Sequence, residues 1–437
     1  VTRRAGAARR LPAAALAAAA ALAAHAGSPA AAPSPAAERA APAPPAAAPL
    51  DPDLLEDLEA IQSQLESLRS LAFRSKVATA SLTREGVRAY MRDLLHEEYP
   101  PEELAGEETA LRHFGLIGGD QALEPILLGM LESQVAGAYD PVRKTLYVVP
   151  EHPAGVVALA HELAHALADQ HFDLDALRRA VREDDDRSLA LASLFEGEAT
   201  MTMSLWAVQR GLDPGDTTLL GMDPSSLMEA AEAGLEGVPA FLRESLTFPY
   251  VAGSAWAAEI MRRGGGLKAL DAYYREPPDS SEQILHPEKS LAPRDVPSIV
   301  ASALLPAGAG PVVKRGAMGE FGIRHLLGHP GKAGAAAAAE GWDGDVYVLE
   351  GRPGALAMTW ISVWDTERDA AEFRDAAGAW LAARAGACRR GVGPSYGAER
   401  AGRVVVVAEG GPEEGDAAAA GRIRAALSRL ASWIDLR

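Results

Sequence analysis

Aromatic side chains are scarce, at 5% of the 437-residue chain. The hydrophobic share is 48%, inflated by alanine, so the core should be aliphatic and helix-rich. Cysteine is nearly absent: Cys388 stands alone, which excludes an intrachain disulfide and a small disulfide-stapled domain. Positive charge is also short. Forty-two Lys and Arg face 60 Asp and Glu, for a formal net charge of -18. Such an acidic surface argues against nucleic acid or anionic lipid as the main partner. Beyond the N-terminus, no apolar run is long enough for a transmembrane helix.

The N-terminus reads as a secretion signal. Arg3, Arg4, Arg9 and Arg10 form a basic region, Leu11 to Ala24 is a short apolar run, and Ala24-His25-Ala26 fits a small-residue cleavage site. Loss of residues 1–26 removes four arginines and takes the charge to about -22. A bacterial location outside the cytoplasm, secreted or periplasmic, follows from this reading, with no integral membrane segment after cleavage. Residues 27–50 are Ala/Pro-rich and read as a disordered tether.

Residues 51–305 should form one mainly helical domain. Asp51-Pro52 is a helix start. Leu54, Leu58, Ile61, Leu65 and Leu68 make a coiled-coil-like seam of about two heptads, too short for an oligomerisation zipper, so the helix should pack on its own domain. Helices are expected at 84–97, 101–114, 121–134, 155–170 and 187–209. Asp140-Pro141 is a turn, and Thr145 to Val149 is a strand. Residues 306–339, rich in Pro, Gly and Ala, read as a linker with a strand near Glu320 to Ile323. From 340 the pattern changes to strand, strand, helix (366–384), strand (391–396), strand (403–408), helix (417–434). This ββαββα order predicts a small domain with its helices on one face of an antiparallel sheet. The expected class is therefore α+β.

The chemistry lies in ALAHELAHALADQH, Ala158 to His171. On a helix, residues four apart share a face. His161 and His165 are therefore stacked, and Glu162 follows the first: an H-E-x-x-H pattern, with Glu162 as general base. Catalytic zinc usually takes three protein ligands and keeps one position open. His171 has the outer spacing of a third-histidine motif. Ala168 stands where that motif needs a glycine to leave the helix, so a continuing helix puts His171 about 240° around from His165. The other source is SLFEGEATM, Ser193 to Met201. A carboxylate on either face of that helix must be paired or metal-bound if buried. Glu196 is our choice as ligand, with Glu198 as its supporting partner or alternate.

HELAHALADQHFDL together with SLFEGEATM resembles secreted bacterial gluzincin-type zinc metallopeptidases. The segments VAGAYDPVRKTLYVV, FPYVAGSAW, PPDSSEQILHPEKS, EGWDGDVYVLEG and WDTERDAAEF extend the resemblance from about residue 84 to the C-terminus. It implies a zincin-like fold, Zn²⁺ held by His161, His165 and Glu196, and hydrolysis of peptide or protein substrates. Tyr250 and His286, both in resembling segments, are candidates to steady the oxyanion. One departure stands out: Thr200 occupies the place where thermolysin-like enzymes carry an aspartate, and Asp169 is a candidate to replace that carboxylate. Two rival readings remain: a noncatalytic envelope scaffold or binding protein on a degenerate zincin fold, and a chance motif on an alanine-rich helix.

Overall fold

A computed structural model describes residues 50–132, 137–149, 155–211, 237–306, 310–328, 331–352, 354–387, 396–411 and 417–434. The expected signal peptide and nearly all of the Ala/Pro-rich tether lie outside these residues, as does Cys388. The chain is α+β, dominated by helices, with two sheets. No helix among the described residues is long and apolar enough to cross a membrane.

The first helix, α1 (Pro52–Arg69), starts as Asp51 accepts the N–H of Asp53 at its N-cap. Its leucine seam turns inward. Leu58, Ile61 and Leu65 are buried against Leu159, Leu163, Ala166 and Leu167 of the motif helix and against Met203 and Trp206. A three-stranded sheet lies beside them, built from β1 (Ala78–Ser81), β2 (Gly137–Asp140) and β3 (Thr145–Val148). β3 is central, parallel to β1 and antiparallel to β2. Sequence periodicity picked out only β3, because four-residue strands at a sheet edge carry too few alternations to register. Two helices, α2 (Arg84–Glu98) and α3 (Pro101–Phe114), separate β1 from α4 (Leu123–Glu132).

The motif helix is α5 (Gly155–Phe172), followed by α6 (Leu174–Val181). α7 (Asp185–Gln209) is buried nearly all round, as a central helix of a large core must be. Asp184 caps it by accepting the N–H of Arg187. The run Asp184-Asp185-Asp186, whose charge fits either a solvated loop or a helix start, is thus the helix start, with Asp185 and Asp186 both buried. α8 (Ala240–Gly264) packs along α7, and the short helices α9 (Asp271–Arg275) and α10 (Ser281–Leu285) close the helical core.

Downstream, the strand expected at 320–323 is instead a helix, α11 (Gly319–Leu326), and β4 (Val312–Gly316) joins the second sheet from within the stretch read as linker. Asp345 explains the helix. Its carboxylate accepts the N–H groups of Met318 (2.9 Å) and Gly319 (3.0 Å) where α11 begins. No local signal at 320 announces a cap 25 residues away. The sheet runs β4-β5-β6-β8-β7, wholly antiparallel, with β5 (Trp342–Arg352), β6 (Ala355–Trp364), β7 (Tyr396–Ala401) and β8 (Val404–Glu409). β7 begins where the sequence reading ended it; residues 391–395 lie outside the described set.

The helices do not share one face. α12 (Glu367–Ala387) packs Phe373, Ala377 and Leu381 on Trp360, Val405 and Val407, whereas α13 (Ala418–Ile434) packs Ile423, Ala426 and Leu430 on Ile361, Val404 and Val406. Two-residue alternation along β5, β6 and β8 feeds both sides, and both sides are apolar. The run Val404-Val405-Val406-Val407 carried that information, since a strand hydrophobic on successive residues is buried on two faces.

This second sheet is joined to the helical region. Ala110 and Phe114 of α3 belong to its apolar core. Lys314 of β4, 1% exposed, pairs with Glu107 of α3 (3.0 Å) and Asp185 of α7 (3.4 Å). Asp345 also accepts the indole N–H groups of Trp342 (2.9 Å) and Trp360 (2.8 Å). Asp345→Asn sets an amide NH₂ against at least one of these buried donors and removes the charge the others point at. It should cost at least about 2 kcal/mol, read as a lowered urea midpoint at unchanged slope.

Candidate metal centre

α5 is a run of alanine and leucine, residues of high helix propensity. Nothing interrupts it between His161 and His171, so the helix continues to Phe172. His171 accordingly ends on the far side, with its Nε2 2.8 Å from the carbonyl of Ala72, and takes no part in the metal group. His161 and His165 project from one face and meet Glu196 of α7.

Three donors converge there. His161 Nε2 lies 3.0 Å from Glu196 Oε2, His165 Nε2 lies 3.4 Å from Glu196 Oε1, and the two Nε2 atoms are 3.1 Å apart. All three residues are buried, and theirs is the one cluster among the described residues able to hold a metal ion. Metal–ligand bonds of about 2.0–2.1 Å at tetrahedral angles put neighbouring donors about 3.3 Å apart. The observed separations, with each histidine facing its own oxygen of Glu196, are of that order, one ligand atom from each residue lying within 4.8 Å of the others, and two imidazoles and a carboxylate are a donor set that suits zinc.

Glycine brings the helix of Glu196 against the helix of Tyr250. A Cβ on Gly197 would collide with the carbonyl oxygen of Gly253, and one on Gly253 with that of Ser193. α7 and α8 therefore cross backbone to backbone, one residue past Glu196. The same crossing carries Tyr250 to the site, its ring stacked on His161 at 6.1 Å between centroids. The Tyr250 hydroxyl is buried without a hydrogen bond of good geometry. Burial, with Glu196 and Glu162 nearby, pushes its pKa well above the usual phenol value, so it stays a proton donor.

Glu198 has a different role from Glu196. It is two residues on, about 200° around the helix, and faces Arg69, with Nε to Oε1 at 2.7 Å. The two glutamates of this helix thus part ways, Glu196 joining the two histidines and Glu198 forming an ion pair. Thr200, at the place of the aspartate in the resembling enzymes, is buried with its hydroxyl unpartnered.

Glu162 is 2% exposed. Its Oε2 accepts the N–H of Tyr139, 2.7 Å away, on the edge strand β2. Burial pushes Glu162 up to about 8, against the pull of His165 and of the Tyr139 amide. Asp169 does not touch the histidines. It accepts the Tyr139 hydroxyl (2.6 Å), Lys144 Nζ (2.8 Å) and the N–H of Leu174 (3.0 Å), so it anchors the residue that holds Glu162. Sequence reasoning missed Tyr139, whose contribution is a backbone amide. His286 is not joined to the group by any hydrogen bond, ion pair or ring contact. Its Nε2 lies 3.0 Å from Glu320 Oε2, and that carboxylate raises its pKa.

Burial alone would raise the pKa of Glu196, but His165 and His161 hold it down to about 2. Burial would likewise lower that of His165, yet Glu196 and Glu162 raise it to about 9. In His161 burial prevails and, with His165 adding to it, its pKa is lowered. Without metal at pH 7, therefore, His165 carries a proton that any metal must displace.

In comparisons with known proteins, a family model described as a domain of unknown function, DUF8575, matches residues 310–421. It spans the second sheet from β4 through β8 and excludes every residue of the metal group. Comparison with curated proteins and with solved structures gives no match.

Two outcomes follow from this geometry. Gly197→Ala should cost about 1–3 kcal/mol from overpacking and weaken zinc uptake, read by urea unfolding and zinc titration; stability lost at unchanged affinity would detach the crossing from the site. Zinc uptake at pH 7 should release at least one proton, from His165, so apparent affinity should rise about tenfold per pH unit up to about 8. Calorimetry in buffers of different ionisation enthalpy measures that proton count, and a count near zero would contradict the charged His165.

Proposed function

We propose that the chain is a secreted or periplasmic zinc-dependent peptidase. The observation that carries this reading is the buried convergence of His161, His165 and Glu196 with the carboxylate of Glu162 beside them. His161, His165 and Glu196 would hold the metal. Bound zinc supplies Lewis-acid polarisation of a carbonyl and a lowered pKa for water.

The remaining work falls to side chains. Glu162 takes a proton from the attacking water and delivers it to the leaving amine. Its raised pKa suits that exchange, since a group titrating near the working pH can both accept and release a proton. The Tyr139 amide keeps one carboxylate oxygen aimed and leaves the other free. Tyr250 donates its hydroxyl proton as a hydrogen bond to the developing oxyanion, with the stacked His161 holding its ring. His286, engaged by Glu320, is the weaker choice for that part.

A peptide substrate is supported by β2. The N–H of Leu82 reaches Val148 O at 2.8 Å, so Val148 faces β1, and Tyr147 faces β2. The paired residues Ala138 and Asp140 then face β3, and Gly137 and Tyr139 face outward. Among the described residues no strand pairs with that outer edge, where the N–H of Tyr139 is taken by Glu162. An extended peptide backbone laid along it passes Glu162 and the metal group.

Glu162→Gln preserves shape and removes the base. Elemental analysis should find one zinc per chain in wild type and variant alike, while cleavage of a fluorescence-quenched peptide library falls by at least about 100-fold. Unchanged cleavage would remove Glu162 from this role. A zinc-loaded wild type that cleaves nothing would favour the binding-protein reading.

A further inference from the structure

Arg69, the last residue of α1, is 3% exposed, and Glu198 is fully buried. The guanidinium is used in three directions. Nε meets Glu198 Oε1 at 2.7 Å, Nη2 meets Asp271 Oδ1 at 2.9 Å, and Nη1 donates to the carbonyl of Leu267 at 3.2 Å. Glu198 is in turn saturated. Thr202 Oγ1 donates to Oε1 at 2.7 Å, and the hydroxyl of Tyr274 donates to Oε2 at 3.2 Å. One carboxylate on α7 is thereby pinned to α1 and to the segment 267–274.

We propose that Arg69, through Glu198, is a positioning residue for the metal centre: the pair fixes the rotation of α7 and so the place of Glu196. This rests on the reading of His161, His165 and Glu196 as metal ligands. Glu196 and Glu198 point to opposite sides of one helix, so whatever locks the second sets the angle of the first. A carboxylate stands about 5–6 Å from the helix axis, and a rotation of about 20° moves it by about 2 Å. Metal ligands tolerate about 0.2 Å. The glycine crossing cannot supply this lock by itself, because a contact without side chains resists approach but offers little to resist rotation. Stability is a weak reason for such a pair, since well-packed apolar side chains commonly replace buried ion pairs without loss. A planar fork with fixed donor directions is the group suited to setting an angle.

The test compares wild type with the double variant Arg69→Met/Glu198→Met, which removes both charges together. Zinc release to a chelator and the visible absorption of the cobalt-substituted protein are the readouts, with far-UV circular dichroism and urea unfolding as controls. The folded double variant should release zinc at least about tenfold faster and show shifted cobalt bands. If the double variant does not fold, Glu198→Gln serves, which keeps the shape and removes the charge; it should shift the bands in the same sense, with an intermediate gain in release rate. A folded variant with wild-type release and wild-type bands overturns the proposal, leaving the pair a matter of packing. A wild type that takes up neither zinc nor cobalt overturns the metal reading itself, an outcome distinct from equal release by both proteins.

Discussion

The approach of α7 and α8 at Gly197 and Gly253 is the constraint on which the rest of the site depends. With no side chain between them, the two backbones meet directly, and a Cβ at either glycine would overlap the backbone of the other helix. Glu196 is adjacent to the contact on one helix, and Tyr250 is three residues before it on the other. Separate the helices by the width of a methyl group, and the tyrosine ring leaves His161 while the carboxylate leaves the imidazoles. The short motif around Glu196 is thus a packing instruction as much as a ligand sequence.

Burial this deep makes charge expensive, and the chain answers most of its buried acids with a specific partner. Glu196 meets two imidazoles, Glu198 meets Arg69, Glu107 and Asp185 share Lys314, and Asp345 gathers four N–H groups. A surplus of acid over base at the level of composition therefore coexists with near-complete matching inside. Glu162 and Asp186 depart from that pattern, and Asp186, which accepts the N–H of Ser281, is likewise pushed up to about 8 by burial; for Glu162 the consequence is chemical. Its only hydrogen bond is to a backbone amide, and its pKa rises accordingly, which is the condition under which a carboxylate can exchange protons near neutrality.

The second sheet contributes no group to the metal cluster, yet it is bound into the helical core. Lys314 reaches the first turn of α7, and Phe114 of α3 lies edge-on to Tyr347 at 5.1 Å. The matched family region begins at residue 310, just before β4, so the unit starts about thirty residues earlier than composition indicated. Glycine and alanine in that stretch do not make a linker here. They permit the tight turn at Gly319, whose φ is +62°, and the close contact of that turn with Asp186.

What the sequence determined by itself was whatever depends on neighbours within about one turn. The bounds of α3, the continuation of α5 past His165, the pairing of His161 with His165, and the displacement of His171 all follow from helical period and propensity. The α+β class follows from the change of period near residue 340. Only the tertiary structure decided the rest. Helical period by itself leaves Glu196 and Glu198 both open, the resemblance favoured Glu196, and their surroundings diverge because α5 lies on one side of α7 and Arg69 on the other. The amide of Tyr139 acts through its backbone, and a backbone group has no sequence signature. The placement of α12 and α13 on opposite faces depends on which side of the sheet each connection takes, a choice that local pattern does not encode. In each case the deciding contact spans dozens of residues, and a local period carries no information at that range.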